Sequence, residues 1–200
     1  MKRISFKSLV IVLVVGLLTA CSNSNQIVLD QNSTIVAFGD SLTQGVGTTP
    51  ENSYPSVLQR ELGVQVINEG VSGETSAEGL ARLEDVLQKH NPDLVILFFG
   101  GNDVLQKLSV DQLERNLEAM IQMIQSYQSE VLLVGVPKAA LFLAPLPLYE
   151  SLSERHGLVS DLTVLSELLG QRSMKSDTVH LNRAGYEALA LSFSEKIDIQ

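Results

Sequence analysis

The sequence predicts one α/β domain, a three-layer α/β/α sandwich around a mostly parallel sheet of about five strands. Its 200 residues leave room for one domain and little else. From Ser33 onward, short β-branched runs alternate with stretches of helical period, which is typical of βαβ units and a parallel sheet. The run at residues 94–99 is continuously apolar instead of alternating, as expected of a strand that is covered on both faces.

Strands and helices are predicted in alternation along the chain. The strand-like runs occupy residues 34–38, 64–68, 94–99 and 131–136, with a weaker fifth strand near Leu158. Between them, apolar residues recur on one face of a helical period and predict helices that pack on the sheet. These residues form three groups: Leu80, Leu83 and Leu87; Leu113, Leu117, Met120, Ile121 and Ile124; and Tyr186, Leu189, Ala190, Phe193 and Ile197. Ligands of such sheets bind beyond the carboxyl ends of the strands, so the residues that follow each strand are the candidates for chemistry.

The first 20 residues are expected to be an export signal. Lys2, Arg3 and Lys7 form a basic start, and residues 9–18 form an apolar core. Ten apolar residues span about 15 Å of a hydrocarbon layer roughly 30 Å thick, so they are too short for a membrane span. Residues 18–21, Leu-Thr-Ala-Cys, resemble the lipobox at which the signal of a bacterial lipoprotein is removed. The alternative is an ordinary secretory signal with a chance cysteine at its cut site.

The lipobox resemblance divides the chain into a signal at residues 1–20, a lipidated Cys21 with a tether up to residue 32, and a domain at residues 33–200. It implies an exported bacterial lipoprotein, anchored to a membrane through Cys21 and facing the periplasm or the cell exterior. Without the first 20 residues the chain keeps 11 basic and 23 acidic residues, a formal charge of −12, which argues against a nucleic acid partner. A single cysteine excludes an intrachain disulfide and a cysteine-built zinc site.

Two of the three histidines are expected to be structural. His90 stands just before an Asn-Pro pair and His156 just before Gly157, and both positions are typical of helix ends, where a histidine can bind the last carbonyls. The two lack the carboxylate spacing of a metal motif. The glycines after the first strand do not form a phosphate-binding loop. The sequence therefore gives no reason to expect a metal or a cofactor.

Polar motifs follow the first three predicted strands, and a fourth motif precedes the last helix. They read Gly-Asp-Ser-Leu at residues 39–42, Glu-Gly-Val-Ser-Gly-Glu-Thr at 69–75, Gly-Gly-Asn-Asp at 100–103 and Asp-Thr-Val-His at 177–180. Alone, each motif is ordinary, because Ser41 could be a plain N-cap and residues 100–102 a tight turn. Together they bring a hydroxyl, a glycine amide, a carboxamide and an Asp/His pair to one edge of the sheet, which favours a catalytic site.

The same motifs resemble the sequence blocks of the SGNH (GDSL) hydrolases, a family of serine esterases and lipases. Residues 39–42 match the first block, Gly73 the second, residues 100–103 the third and residues 177–180 the fifth, and the resemblance extends from Ile35 to about Ala190. Residues 71–83 are similar to the branch that contains thioesterase I/lysophospholipase L1 and the bacterial arylesterases. Leu181 departs from the family, many of whose members carry proline after the histidine.

The resemblance implies catalytic roles for five residues: Ser41, Gly73, Asn102, Asp177 and His180. A serine hydroxyl attacks well only when a base takes its proton, and His180 would be that base. Asp177 would hold the imidazole in the productive tautomer and stabilise its charged form. The backbone N–H groups of Ser41 and Gly73 and the side-chain amide of Asn102 would then stabilise the oxyanion that forms from the attacked carbonyl.

The implied activity is hydrolysis of carboxylic esters through an acyl-enzyme on Ser41, with short to medium acyl or aryl esters, lysophospholipids or thioesters as substrates. Residues 137–149 are apolar with three prolines and form either an acyl-binding wall or a loop that covers the core. Lys138 is the only basic residue among them, which favours simple esters over acyl-CoA. The alternatives are a carbohydrate or peptidoglycan O-acetylesterase and a binding lipoprotein without turnover, and the intact motifs argue against the second.

Overall fold

The computed structural model describes residues 26–138 and 144–200. The predicted signal, Cys21 and the middle of the apolar stretch, residues 139–143, lie outside the described residues. Within the described ranges, no helix is long and apolar enough to cross a membrane.

The described residues form seven strands, eight α-helices and two short 3-10 helices. The strands are β1 (Ile27–Leu29), β2 (Thr34–Gly39), β3 (Gln65–Gly70), β4 (Leu94–Phe98), β5 (Glu130–Val134), β6 (Val159–Asp161) and β7 (Ile197–Ile199). The helices are α1 (Ser41–Gln44), α2 (Tyr54–Leu62), α3 (Ser76–His90), α4 (Gly101–Leu105), α5 (Val110–Ser126), α6 (Pro147–His156), α7 (Val164–Gly170) and α8 (Arg183–Ser194). The 3-10 helices are Pro50–Asn52 and Arg172–Met174.

Five strands form one parallel sheet in the order β3-β2-β4-β5-β6. This confirms the predicted α/β class and the number of strands, including the weak strand near Leu158. The chain runs from β2 outward to β3 and then crosses back to β4 on the other side of β2. The direction of winding therefore reverses beside β2, and the carboxyl ends of β2, β3 and β4 frame the crevice in which a ligand is expected.

The middle of the sheet is covered on both faces. All residues of β4 are buried, and Ile96 and Leu97 are buried completely, as the continuous apolar run predicted. Right-handed crossovers that run in opposite directions place α2 and α3 on opposite faces of the sheet. Helix α2 packs with α8, and α3 packs with α5, so each face carries a helical layer. This is the predicted three-layer sandwich.

The predicted helix faces are confirmed in α3 and α5, and one residue of α8 is wrong. Leu83 and Leu87 of α3 are buried, and so are all the predicted residues of α5. Helix α8, however, ends at Ser194, and Ile197 begins β7. Ile197 has helical spacing from Phe193, but residues 197–199 also alternate between apolar and polar, and the chain adopts the second pattern.

A second, two-stranded sheet lies outside the prediction. Strand β1 pairs in parallel with β7, with Ile27 opposite Ile197, and Ile27 and Leu29 are buried. Because these residues fall in the predicted tether at 21–32, that boundary is corrected: the folded domain reaches back to residue 27 instead of 33. Three residues are too few for a strand period to be recognised in a sequence.

His90 and His156 stand at helix ends as predicted, but they bind carboxylates instead of carbonyls. His90 Nε2 lies 2.6 Å from a carboxylate oxygen of Glu69, and His156 Nε2 lies 3.4 Å from one of Glu118. The ends of α3 and α6 are closed by the N–H groups of the residues that follow, which adopt the left-handed conformation. The side chains of the histidines are therefore free to reach charges on neighbouring elements.

Candidate active site

The chain turns sharply at the end of β2, and this turn places Ser41 at the edge of the sheet. Asp40 is the N-cap of α1, and its Oδ1 accepts a hydrogen bond from the Leu42 N–H at 3.1 Å. A Cβ on Gly39 would lie 2.3 Å from the side-chain oxygen of Thr43 and 2.5 Å from the backbone oxygen of Phe98. Only glycine therefore fits where β2, β4 and α1 meet, and Ser41, two residues later, is the first residue of α1.

His180 lies against Ser41. Its Nε2 is 3.0 Å from Ser41 Oγ, and its Nδ1 is 2.8 Å from Asp177 Oδ2. Both distances are hydrogen-bond distances, and the order of the groups is that of a nucleophile, a base and a carboxylate that orients the base. The fold thus brings together three of the five residues that the family resemblance singled out.

The loop that carries Asp177 and His180 is organised by its own hydrogen bonds. Asp177 Oδ1 accepts from the N–H groups of Val179 and His180, both at 2.8 Å. Leu181, which stands where many SGNH hydrolases carry proline, is completely buried beside Gly185. Hydrophobic packing therefore fixes the end of this loop in place of a rigid proline ring.

Asp177 is ionised over the whole range in which a histidine titrates. Partial burial would raise its pKa, but hydrogen bonds from the Val179 N–H and from the ring and N–H of His180 outweigh that effect, and the pKa is lowered to about 2. Its side chain is 52% exposed, so water reaches the carboxylate from the other side. A fixed negative charge therefore lies behind the imidazole of His180.

Gly73 and Asn102 reach the same site from the other two motifs. Gly73 adopts a φ of +84°, and no atom lies within 4 Å of the position of a Cβ there, so its backbone conformation and not a lack of space favours glycine. Asn102, in the first turn of α4, donates from Nδ2 to the Glu74 carbonyl at 2.9 Å and to Asp40 Oδ2 at 3.3 Å. The amide of Asn102 thus bridges the loops that follow β2 and β3.

These residues line an open cleft of about 160 Å³. Ser41, Gly73, Asn102 and His180 are all on its wall, while Asp177 lies behind His180. An apolar hollow of about 40 Å³ adjoins the cleft. The residues that line the hollow are Leu42, Gly101, Val104, Leu105, Val136, Pro137, Leu165, Leu169 and Val179. Four of them, Leu42, Gly101, Leu105 and Val179, also line the cleft, so the two spaces share a wall.

Asp40 is a buried carboxyl group beside Ser41. Burial raises its pKa from 3.8 to about 7, against the hydrogen bond from the Leu42 N–H and the charge of His180, both of which lower it. The carboxylates of Asp103 and Glu74 raise it further. The charge of Asp40 therefore changes within the neutral pH range.

Sequence reasoning missed the side chains that hold the loops of the site. Asp103 accepts from the N–H and the hydroxyl of Ser76, at 2.9 and 2.6 Å, which fastens α4 to the start of α3. Arg82 donates from Nε and Nη2 to the two carboxylate oxygens of Glu74, each at 2.6 Å. Asp103 and Glu74 appeared only as members of motifs, and Arg82 only within the family-like stretch. Ser76 and Asp103 are 27 residues apart, so no local spacing could have assigned their contact.

Among residues 26–138 and 144–200, no group of three His, Cys, Asp or Glu side chains is arranged to hold a metal ion.

The chain is similar to a known family and to proteins named as esterases and thioesterases. Residues 37–188 match the GDSL-like Lipase/Acylhydrolase family. Esterase TesA of Pseudomonas aeruginosa is 36% identical over 108 residues, which are 52% of this chain and 54% of that protein. Thioesterase 1/protease 1/lysophospholipase L1 of Escherichia coli is 33% identical over 105 residues, 52% of this chain and 50% of that protein. The matched region thus spans about half the length of these curated relatives.

Solved structures extend the comparison over about four fifths of the chain. The crystal structure of TesA has a TM-score of 0.71 to this chain and 27% identity, covering 81% of this chain and 94% of that one. The family match runs from β2 into α8 and includes all four motifs. The chain therefore belongs to the GDSL-like Lipase/Acylhydrolase family.

Proposed function

We propose that the protein is a serine hydrolase of carboxylic esters that works through an acyl-enzyme on Ser41. The observation that carries this proposal is the continuous chain from Ser41 Oγ to His180 Nε2 at 3.0 Å and from His180 Nδ1 to Asp177 Oδ2 at 2.8 Å. Family membership and relatives named esterase and thioesterase support the same chemistry.

The first half of the reaction transfers the acyl group to the enzyme. As Ser41 Oγ attacks the ester carbonyl, its proton passes to His180 Nε2, and Asp177 stabilises the imidazolium. Collapse of the tetrahedral intermediate breaks the bond to the alcohol oxygen, which takes the proton from His180. In the second half, water gives a proton to His180 and attacks the acyl-enzyme, and Ser41 recovers its proton when the acid leaves.

The oxyanion of each tetrahedral intermediate needs hydrogen-bond donors. The N–H groups of Ser41 and Gly73 and the amide of Asn102 are the candidates. Asn102 Nδ2 donates hydrogen bonds to the backbone oxygen of Glu74 and to Asp40 Oδ2, and the bond to Asp40 is the longer at 3.3 Å. Because hydrogen bonds weaken with length, the hydrogen that points toward Asp40 is the one that a substrate oxygen can accept at the lower cost, while the bond to Glu74 keeps the amide in place.

The apolar hollow beside the cleft supports an acyl or aryl group of modest size. Val136 and Pro137 line it, so the start of the apolar stretch 137–149 serves as a wall of the site. Leu148 and Tyr149, near its end, are buried in the core instead. The two interpretations of this stretch thus apply to different parts of it.

The described walls favour substrates without a multiply charged head group. No lysine or arginine is among the described residues that line the cleft or the hollow. Short to medium acyl or aryl esters therefore fit better than acyl-CoA, and lysophospholipid and simple thioesters remain inside the proposed range. The apolar hollow gives no support to a carbohydrate or peptidoglycan O-acetylesterase, and the assembled Ser41–His180 pair gives none to a binding lipoprotein without turnover.

The nucleophile is tested with a fluorophosphonate probe, which reacts with activated serines. The wild type should be labelled at Ser41, as located by mass spectrometry, and should hydrolyse p-nitrophenyl esters with a preference for one range of chain length. Ser41→Ala should lose the label and at least about 10⁴-fold in kcat. Ser72→Ala, which removes another hydroxyl at the cleft, is the matched control and should keep the label. Labelling that survives Ser41→Ala would refute the assignment.

We also propose that Cys21 is lipidated and anchors the exported protein to a membrane. The basic start, the short apolar core and the Leu-Thr-Ala-Cys sequence at residues 18–21 support it. Cys21→Ser should move the protein from the membrane fraction to the soluble fraction with unchanged esterase activity, whereas Ser24→Ala should leave it in the membrane fraction. A wild-type protein that is already soluble and carries a free thiol would contradict this proposal.

A further inference from the structure

Helix α3 reaches back to the loop from which it starts. Arg82, on its second turn, donates from Nε to Glu74 Oε1 and from Nη2 to Glu74 Oε2, both at 2.6 Å. The side chains are 24% and 8% exposed, so this is a two-pronged ion pair that is largely withdrawn from water. Pairs of this geometry fix direction as well as distance, because the guanidinium and the carboxylate are both planar.

The guanidinium of Arg82 is held on its other sides as well. Its central carbon lies 4.3 Å from the centroid of the Phe38 ring, which belongs to β2. Its Nη2 also donates to the backbone oxygen of Glu69 at 2.9 Å, and its Nη1 lies 3.6 Å from the Glu69 carboxylate. Arg82 thus contacts β2, β3 and the loop after β3. The position of that loop therefore depends, through Arg82, on the positions of the two strands.

Glu74 stands at the point where the proposed oxyanion donors meet. It directly follows Gly73, and its backbone oxygen accepts the Asn102 amide at 2.9 Å. The next residue, Thr75, is fixed separately by a capping box with Glu78. With Thr75 held by the helix, the remaining freedom of the Gly73–Glu74 peptide is restricted by the grip of Arg82 on the Glu74 side chain.

We propose that the Arg82–Glu74 pair positions the oxyanion-stabilising groups of the site. The pair fixes Glu74, so it sets where the Glu74 oxygen holds the Asn102 amide, and it limits the backbone of the adjoining Gly73, whose N–H belongs to the preceding Ser72–Gly73 peptide. Neither side chain lines the cleft beside Ser41, so both act through other groups. This inference rests on the proposed esterase function, because it assigns a purpose to the geometry of that site.

The central test is Arg82→Gln, with kcat expressed per site that a fluorophosphonate probe can label. A misplacement of about 1 Å costs roughly 10²-fold in rate, so we expect kcat to fall about 10- to 100-fold with KM little changed. The pH profile should keep its shape, because the loop of Asp177 and His180 is untouched. Arg82→Lys keeps the charge but loses the fork, and its kcat should lie between those of the wild type and Arg82→Gln.

A double variant separates positioning from stability. Arg82→Gln alone leaves the Glu74 carboxylate buried without its partner, which lowers the melting temperature. Arg82→Gln combined with Glu74→Gln removes that charge and should recover most of the lost melting temperature. The kcat of the double variant should nevertheless stay low, because the fork that orients the loop is still missing.

Arg155→Gln is the matched control. Arg155 also binds two carboxylate oxygens, those of Glu118 and Glu114 at 2.9 and 3.0 Å, but it lies at the end of α6 and lines neither the cleft nor the hollow. Its kcat should equal that of the wild type.

Three outcomes decide the matter. If kcat per labelled site is the same in Arg82→Gln and the wild type, or recovers together with stability in the double variant, the pair is only a structural brace and the inference is overturned. If Arg82→Gln does not fold, Arg82→Lys and the double variant decide by the same criterion. A wild type that is neither labelled nor active would contradict the proposed function itself. This failure is distinguishable from a failure of the Arg82–Glu74 inference, because it is seen in the wild type before any variant is compared.

Discussion

Two aspartates flank the Ser41–His180 pair, and they differ in almost every physical respect. Asp40, directly before Ser41, is 3% exposed, and burial raises its pKa to about 7. Asp177, behind His180, has a side chain that is 52% exposed, and its hydrogen bonds outweigh partial burial and lower its pKa to about 2. Asp40 is therefore a weaker acid than an ordinary aspartate, and Asp177 is a stronger one.

The difference teaches which environment suits which task. A carboxylate that must stabilise an imidazolium needs to remain charged, and Asp177 secures this with two backbone N–H donors and contact with water. Asp40 has one backbone donor, the Leu42 N–H, and a weak contact with Asn102. Its task is to hold the turn at the end of β2, which a neutral carboxyl group can also do.

The largest expected effect is that of Asp177→Asn. Its amide cannot stabilise the imidazolium and favours the wrong tautomer, so we expect kcat/KM on an activated ester to fall about 10⁴-fold near pH 7. His180→Ala should lose at least as much, because it removes the base that takes the proton of Ser41. Rates from about pH 5 to 9 check both. If Asp177→Asn and Asp40→Asn lose equal activity, the contrast between the two aspartates has no catalytic meaning.

Asn102→Ala should have a smaller effect. It removes one oxyanion donor but leaves Ser41, His180 and Asp177 in place, so kcat should fall about 10²- to 10³-fold with little change in KM. Steady-state kinetics on the same ester, compared with Asp177→Asn, separate charge stabilisation at the oxyanion from proton transfer. Full kcat in Asn102→Ala would mean that residues 100–102 form only a turn.

Asp40→Asn should change stability more than chemistry. Because the folded pKa of Asp40 is above its unfolded value, the folded protein binds the extra proton, and this contribution to stability is lost as the pH rises from about 4 to 7. Between pH 5 and 8 the wild type should therefore lose up to about 3 kcal/mol of unfolding free energy that the variant does not lose. Urea unfolding at the two pH values measures it, and parallel losses in both proteins would contradict the burial of a titrating carboxyl.

The contribution of Asp177 to stability should change with pH in the opposite direction, and it should be the smallest of these effects. Its folded pKa is below its unfolded value, so its contribution to stability is present above about pH 4 and is lost as the pH falls toward 2. Exposure of its side chain to water screens this contribution. The melting temperatures of the wild type and Asp177→Asn should therefore converge slightly on acidification from pH 6 to pH 2.5. Divergence over that range would reverse the assigned direction of the shift.

Much of this contrast is invisible in the sequence. The sheet and the order of the motifs at its edge could be predicted from strand periods and parallel topology, and the meeting of Ser41 with Asp177 and His180 from the resemblance to the SGNH hydrolases. The burial of Asp40 and the ion pair of Arg82 with Glu74 could not be predicted, because each depends on elements that meet only in the folded chain. For the same reason β1 and β7 were missed: each is three residues long and acquires its structure from the other.

The pairing of β1 with β7 determines where the described amino end lies relative to the cleft. His180 stands just before α8, and β7 follows that helix, whose 12 residues span about 18 Å. The chain therefore enters the domain at the opposite end from the catalytic loop. The strand pair therefore lies about one helix length from Ser41 and His180, and the whole of α8 separates a change in β1 or β7 from the cleft.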